Sequence, residues 1–416
     1  MDSEIKKRIA QIRRGEVPEG YKKTKYGILP ADWTVYILGD CLSRIEKPVK
    51  VNPNEWYTQI GIRSHGKGLF YKEPVTGAEL GNKAVYWVQP NCFVLNIVFA
   101  WEQAIGKTSQ AEAGMIGSHR FPMYRPINDK IDIDYLIAYL LTKRGTDILE
   151  MASPGGAGRN RTLGQEHFLK SKVVFPSVVE QQKIAAILTT QDKVIELKEK
   201  RLAEKQRQKM YLMQQLLTGK KRLPGYWGEW NFPKAKEVFQ SVTDKNHKGD
   251  LMVLSATQDK GIMPRDEVDI DIKYEVSSLA NYKKVCQGNF VISLRSFQGG
   301  IEYSAYTGLV SPAYTVLSSK KELCDEYYKQ YFKSADFINR LNVAVYGIRD
   351  GKQISFEEFG RLRIPYPPIN EQSAIAQVLS TADREISLLR QDIEQEKQKK
   401  KALMQLLLTG IVRVNV

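Results

Sequence analysis

The sequence predicts an α/β (α+β) protein in which two repeated domains are separated by two long antiparallel coiled-coil helices. Three observations carry that expectation. The first is an ungapped internal repeat: Pro176-Ser177-Val178-Val179-Glu180-Gln181-Gln182-Lys183-Ile184-Ala185 lies over Pro367-Pro368-Ile369-Asn370-Glu371-Gln372-Ser373-Ala374-Ile375-Ala376 at an offset of 191. The same offset matches Leu212-Met213-Gln214 and Leu216-Leu217-Thr218-Gly219 to Leu403-Met404-Gln405 and Leu407-Leu408-Thr409-Gly410. The second is a seven-residue apolar spacing inside both copies. The third is a looser echo through the segments between them. With 416 residues, the chain is also too long for one ordinary core.

The elements follow in order as an arm at 1–30, a domain at 31–175, a helix at 176–220, a domain at 221–366 and a helix at 367–416. The arm repeats the plan in miniature, since Gln11-Ile12-Arg13-Arg14-Gly15, Gly20-Tyr21 and Trp33 echo Gln215-Leu216-Leu217-Thr218-Gly219, Gly225-Tyr226 and Trp230. Each domain mixes β-rich runs (83–88; 289–294) with a helical stretch (133–143; 325–337). Between the domains, Phe93-Val94 corresponds to Phe290-Val291, Pro122-Met123-Tyr124 to Pro312-Ala313-Tyr314, and Tyr135 with Tyr139 to Tyr327 with Tyr331.

Each long helix has start and stop signals. Ser177-Val178-Val179-Glu180 has the form of a capping box, Asn370 is placed to cap the second copy, and Gly219 and Gly410 sit where a helix stops. The seam is Leu188, Ile195, Leu202, Lys209 and Leu216, repeated as Leu379, Ile386, Ile393, Lys400 and Leu407, with charged and amide flanks. The alternative is two surface helices docked separately on their own domains. Matching seams favour helices that pack on each other. Domain termini usually lie close together, so the end of the first helix should meet the start of the second, making the pair antiparallel.

Composition narrows the function classes. Hydrophobic residues make up 42% and charged residues 26%, a folded and soluble balance. The most apolar stretch, 92–101, is too short for a membrane span, and the start lacks the plan of a signal peptide, so a cytoplasmic protein is expected. Four scattered cysteines and four scattered histidines argue against a disulfide framework or a zinc module, so no metal is expected. Lys+Arg 62 against Asp+Glu 47 gives +15, which makes a polyanion partner plausible. The excess is concentrated. Residues 180–222 carry 11 basic and 5 acidic groups, whereas residues 30–179 carry 17 and 14. The domains must therefore bind phosphates, if they do, through local clusters.

These motifs resemble the specificity subunit of type I restriction-modification enzymes. The resemblance covers nearly the whole chain. It rests on the Pro-x-x-x-Glu-Gln-x-x-Ile-Ala openings at Pro176 and Pro367, the Leu-Leu-Thr-Gly closings ending at Gly219 and Gly410, and the leading Pro18-Glu19-Gly20-Tyr21 with Leu29-Pro30 and Asp32-Trp33. It implies that each domain is a target recognition domain reading half of a bipartite double-stranded DNA sequence. It also implies that the helices space the halves and dock two modification (methyltransferase) subunits, which restriction (translocase/nuclease) subunits join. S-adenosylmethionine and ATP with Mg would then be cofactors of the partners, with no catalytic residue in this chain. The residues agree: 104–108 ends like a phosphate loop, but Trp101 occupies the place of its first glycine, and no Gly-x-Ser-x-Gly is present. The acidic run Asp266, Glu267, Asp269, Asp271 reads as a solvated loop. The rival function is a protein-interaction scaffold built on an antiparallel coiled coil, without sequence readout.

Duplex recognition requires Arg and Lys for phosphates, with Arg, Lys, Asn or Gln for base edges. Three glycine-rich places offer them: Arg159, Asn160 and Arg161 with their repeat partners Arg349, Lys352 and Gln353; Arg63 and Lys67; and Arg295 and Gln298. His65 and His119 read as hydrogen-bonded structural histidines. The Lys-rich middle of the first helix (Lys198, Lys200, Arg201, Lys205, Arg207, Lys209) faces DNA, a partner or solvent.

Overall fold

The computed structural model describes residues 3–155, 161–258, 260–268, 276–344 and 354–415. It divides into two compact units, Met1–Leu197 with Ile393–Val416, and Lys198–Asp392. Each contains the same four-stranded antiparallel sheet. In the first unit the order is Ile105–Lys107, Phe93–Leu95, Met123–Pro126, Leu42–Ile45. In the second it is Glu302–Tyr303, Phe290–Ile292, Thr315–Ser319, Phe239–Val242.

The central strands explain why both sequences adopt this sheet. Phe93-Val94-Leu95 is buried at every position because alternate side chains enter two cores. Phe93 and Leu95 join the helical core, and Val94 joins the core beneath a hairpin. Phe290 and Ile292 on one side and Val291 on the other divide in the same way. A run apolar on both faces reads as continuous hydrophobicity, which is what the sequence has. The pairing also corrects one sequence match. Phe93 faces Tyr124 and Phe290 faces Leu317, so Tyr124 corresponds to Leu317. Tyr314 lies in the preceding turn, its amide donating to Ser311 O (3.0 Å).

The helical stretches are each two helices. Ile133–Leu140 and Lys143–Met151 are separated at Thr142, whose hydroxyl accepts from Gly145 N, and Asp132 caps the first by accepting from Tyr135 N (2.9 Å). Asp325–Tyr331 and Ala335–Ala344 are separated at Ser334, which accepts from Phe337 N (3.3 Å). Short hydroxyl side chains satisfy the free N–H groups of a new first turn, so the apolar period continues while the axis changes.

The long helices run Val178–Leu216 and Ile369–Leu407, 39 residues each. Ser177 Oγ accepts from Glu180 N (3.4 Å), but the Glu180 carboxylate goes elsewhere, so the capping box forms only half. Asn370 falls inside the first turn, its Oδ1 accepting from Glu371 N (2.9 Å), because the second helix begins one residue earlier. Gly219 and Gly410 adopt φ of 72° and 70°, the left-handed stop.

Within each unit, parts of the two long helices run antiparallel. In the first unit Leu188 shares a core with Leu407 and Leu408, Gln191 Nε2 donates to Glu396 Oε2 (2.7 Å), and Lys400 pairs with Asp192 (2.6 Å). In the second, Leu216 and Leu217 share a core with Ile375 and Leu379. There Lys209 meets Asp383 (2.6 Å), Lys205 meets Glu385 (2.7 Å) and Lys198 meets Asp392 (2.8 Å). Seam residues Ile195, Ile386 and Ile393 are buried, and Leu202 is half-buried.

These pairs refine the reading of the Lys-rich segment. Lys198, Lys205 and Lys209 face carboxylates of the second helix, because the opposing helix presents acids at matching turns. The two seam lysines are related by the repeat, and so are their aspartates. A polar residue at one seam position costs stability but specifies register. We expect Lys209→Asp to lower stability by about 1–2 kcal/mol, since Asp383 is part-exposed. Adding Asp383→Lys should recover most of it in urea unfolding of the full chain. A double variant no better than the single one would show that the pair does not set the register.

Candidate nucleic-acid interface

In the first unit, the hairpin Ile60–Ile62 and Leu69–Tyr71 projects residues 63–68 from the sheet. Arg63 Nη1 donates to Leu69 O (2.9 Å) and its guanidinium lies 5.0 Å from the Phe70 ring centre, which holds this exposed cation on the hairpin. The tip is tied to residues 96–103: His65 N donates to Glu102 O (2.7 Å), Gly66 N to Gln103 O (2.9 Å) and Ser64 Oγ to Glu102 Oε2 (3.0 Å). His65 takes a left-handed φ of 61°, so its role is in the turn through its backbone. Arg161 stacks over Trp101 at 5.5 Å, and Leu163 N donates to Ile97 O (2.8 Å). The structure therefore brings Arg63, exposed Lys67 and Arg161 around one turn. Arg159 and Asn160 lie outside the described residues.

The second unit repeats the arrangement. The hairpin Leu254–Thr257 and Gly261–Pro264 occupies the same place, and the turn after Phe290–Ile292 becomes the short helix Ser296–Gly299. Gln258 Nε2 donates to Gln298 Oε1 (3.4 Å), joining hairpin tip to turn. Lys333 Nζ donates to Gln258 O (3.2 Å) and Gly299 O (2.8 Å) and also pairs with buried Glu302. Arg295 and Gln298 are both exposed on this face. Gln258 and Lys260 were missed by sequence reasoning, because only the spatial match of the hairpins places them there. Arg349, Lys352 and Gln353 lie outside the described residues.

A second pair of constellations sits where the long helices begin. Glu180 is buried and receives Arg413 Nε and Nη2 (both 2.7 Å), while Arg413 also holds Asp32 (2.8 and 2.9 Å). The hydrogen bond from Arg413 keeps the Asp32 carboxyl below its usual range. The repeat-related Glu371, fully buried, receives Arg222 Nε and Nη2 (2.5 and 2.6 Å) and Trp230 Nε1 (3.0 Å). Carboxylates occupied in this way are structural braces, not proton-transfer groups.

The segment that ends like a phosphate loop is a strand. Ile105–Lys107 pairs with Phe93–Leu95, Lys107 meets Asp134 (2.6 Å), and buried Thr108 donates to Gln89 O (2.6 Å). No N–H cradle remains there. Among the described residues no cluster of three His, Cys, Asp or Glu side chains has metal-ligand geometry. Asp266 and Glu267 lie in a short 3₁₀ turn, and Asp269 and Asp271 lie outside the described residues. Among the described residues no helix is long and apolar enough to cross a membrane.

Two stretches, residues 49–205 and 228–398, match the type I restriction modification DNA specificity domain. The chain belongs to this family. It is a DNA specificity subunit of the type I restriction-modification class, and one matched stretch falls largely in each of its two units. The putative type I restriction enzyme MjaX specificity subunit of Methanocaldococcus jannaschii is 24% identical over 428 residues, covering 95% of this chain and 97% of that one. The MjaVIII specificity subunit of the same organism is 24% identical over 430 residues, covering 95% and 96%. Among solved structures, the HsdS subunit from Thermoanaerobacter tengcongensis shares the fold of this specificity subunit with a TM-score of 0.52 at 17% identity, covering 92% of this chain and 98% of that one. A chain from a study of complex assembly and conformational transition of the type I R-M system gives a TM-score of 0.59 at 16% identity, covering 92% and 99%.

Proposed function

We propose that each unit of this specificity subunit reads one half of a bipartite DNA target. The long helices set the unspecified gap and dock two modification subunits, and restriction subunits join that assembly. The chain itself performs no chemistry. S-adenosylmethionine, ATP and Mg belong to the partner subunits, and the assembly works in the cytoplasm.

One observation carries the reading. A hairpin tip meets the turn after the central strand in both units, yet the donors differ: Arg63, Lys67 and Arg161 in one, and Gln258, Arg295 and Gln298 in the other. Equal scaffolds with unequal donors suit two different half-sites.

The test is genomic methylation mapping in a host carrying this chain with its modification subunit, compared with the same host lacking the chain. The expected result is a two-part motif with a fixed gap that disappears on deletion. An unchanged map would overturn the proposal. Each helix of 39 residues is about 58 Å long at about 1.5 Å per residue. Removing seven residues from both is therefore expected to alter the gap and leave the half-site bases unchanged. Altered half-site bases would assign reading to the helices.

A further inference from the structure

The first unit contains a cleft of about 380 Å³ beside the hairpin, distinct from the tip that carries Arg63 and Lys67. Lys72, Lys83, His119 and Arg120 line it, all four exposed. Among the described residues none that lines the cleft is a carboxylate, and none of these four side chains has a hydrogen-bond or ion-pair partner, so His119 is not the hydrogen-bonded structural histidine that the sequence suggests. By contrast, Lys107 is neutralised by Asp134 and Lys400 by Asp192 in the same unit.

The walls are tied by backbone bonds and so stand ready before any ligand arrives. Lys72 N donates to Gln59 O (2.9 Å), His119 N to Ala84 O (3.2 Å), Ile97 N to Arg120 O (3.0 Å) and Asn96 N to Ala104 O (2.9 Å). Those last two bonds also join the cleft to the 96–103 turn on which Arg161 and the hairpin tip converge. The remaining lining is mixed, with the amides of Gln59 and Asn96, part-exposed Phe99, and apolar Ile60 and Val98. Unpaired cations around a cavity too large for a bare phosphate, with amide and apolar walls, fit a phosphate carrying its sugar.

We propose that this cleft anchors a phosphodiester of the bound DNA strand, with Lys72, Lys83 and Arg120 as the anion-holding groups. It positions the duplex while the adjoining turn reads bases. The proposal rests on the DNA-reading function above. It accounts for a domain that is nearly neutral overall yet must engage a polyanion, because the cations are gathered where no acid opposes them.

The experiment measures binding of the full chain to random-sequence and target duplexes across a salt series. It compares the unsubstituted chain, a Lys72→Gln, Lys83→Gln, Arg120→Gln triple variant, and a charge-retaining Lys72→Arg, Lys83→Arg, Arg120→Lys variant. All six substitutions fall at exposed side chains, and thermal melts confirm folding. The triple Gln variant should bind both duplexes about tenfold or more weakly, with the preference for target unchanged. Its slope of log affinity against log salt should fall by about 0.9 for each phosphate no longer neutralised, and the charge-retaining variant should keep the slope. Unchanged affinity and slope in the Gln variant, alongside salt-dependent binding by the unsubstituted chain, would overturn the cleft assignment alone. Absence of salt-dependent binding in the unsubstituted chain would instead sink the DNA-reading function. Titration with adenosine monophosphate separates the sources of phosphate. Competition with duplex supports the strand, whereas nucleotide binding that leaves duplex affinity untouched overturns it in favour of a free nucleotide.

Discussion

Arg222→Met is expected to destabilise the second unit by about 3–5 kcal/mol, because it leaves the fully buried Glu371 carboxylate without its cation. Arg222 is only about one-fifth exposed, so solvent does little to screen this pair. Trp230 Nε1 remains as a donor, but a neutral N–H does not replace a bidentate guanidinium. The double variant Arg222→Met, Glu371→Leu removes the stranded charge and should recover most of the loss, less about 1 kcal/mol for the indole N–H left without its acceptor. Denaturant unfolding followed by a probe in the second unit checks both. A single variant within about 0.5 kcal/mol of the parent would mean that water already solvates Glu371. The same logic at Arg413 predicts a smaller effect, since Arg413 is more exposed and shares its charge between Glu180 and Asp32.

Gly300→Ala should cost about 2–4 kcal/mol and weaken recognition of one half-site selectively. Gly300 has a φ of 79°, and a Cβ there would lie 1.9 Å from the Phe332 carbonyl oxygen. Both partners are backbone, so relief requires moving either the turn or the helix end. Phe332 packs among Phe239, Phe290, Phe337 and Phe359 and has little freedom. The turn therefore moves, and it carries Arg295 and Gln298. Binding to duplexes altered in one half-site at a time is the measurement. The expected outcome is lost discrimination at the half-site read by the second unit, with discrimination at the other intact. Equal loss at both would mean that Gly300 acts through global stability.

Much of this architecture is written locally. The seam is visible because a heptad period places Leu188, Ile195 and Leu216 on one stripe, and the central strands are visible because Phe93-Val94-Leu95 and Phe290-Val291-Ile292 are apolar on both faces. Glycine and cation spacing marks the loops at Arg63 and Arg295 as candidates, and the structure exposes both side chains where a hairpin tip meets the turn after the central strand. Gln258 and Lys260 were not legible, because short polar residues at a hairpin tip look like any other loop until the hairpin is placed. Lys72, Lys83 and Arg120 were missed for a related reason: they come from separate strands and turns that only the folded sheet gathers.

By itself, then, the sequence determined the repeat, the order of domains and helices, the seam and the family, since each is recorded in spacing within a few turns or in a match at constant offset. The tertiary structure alone decided where the charges go. Lys209 finds Asp383, Arg222 finds Glu371 and Arg413 finds Glu180 across separations of 174, 149 and 233 residues. Composition counts such lysines and arginines as free positive charge. Only the packed chain shows which are neutralised by carboxylates and which stay exposed without one, because an ion pair depends on distance in space and not on neighbourhood in sequence.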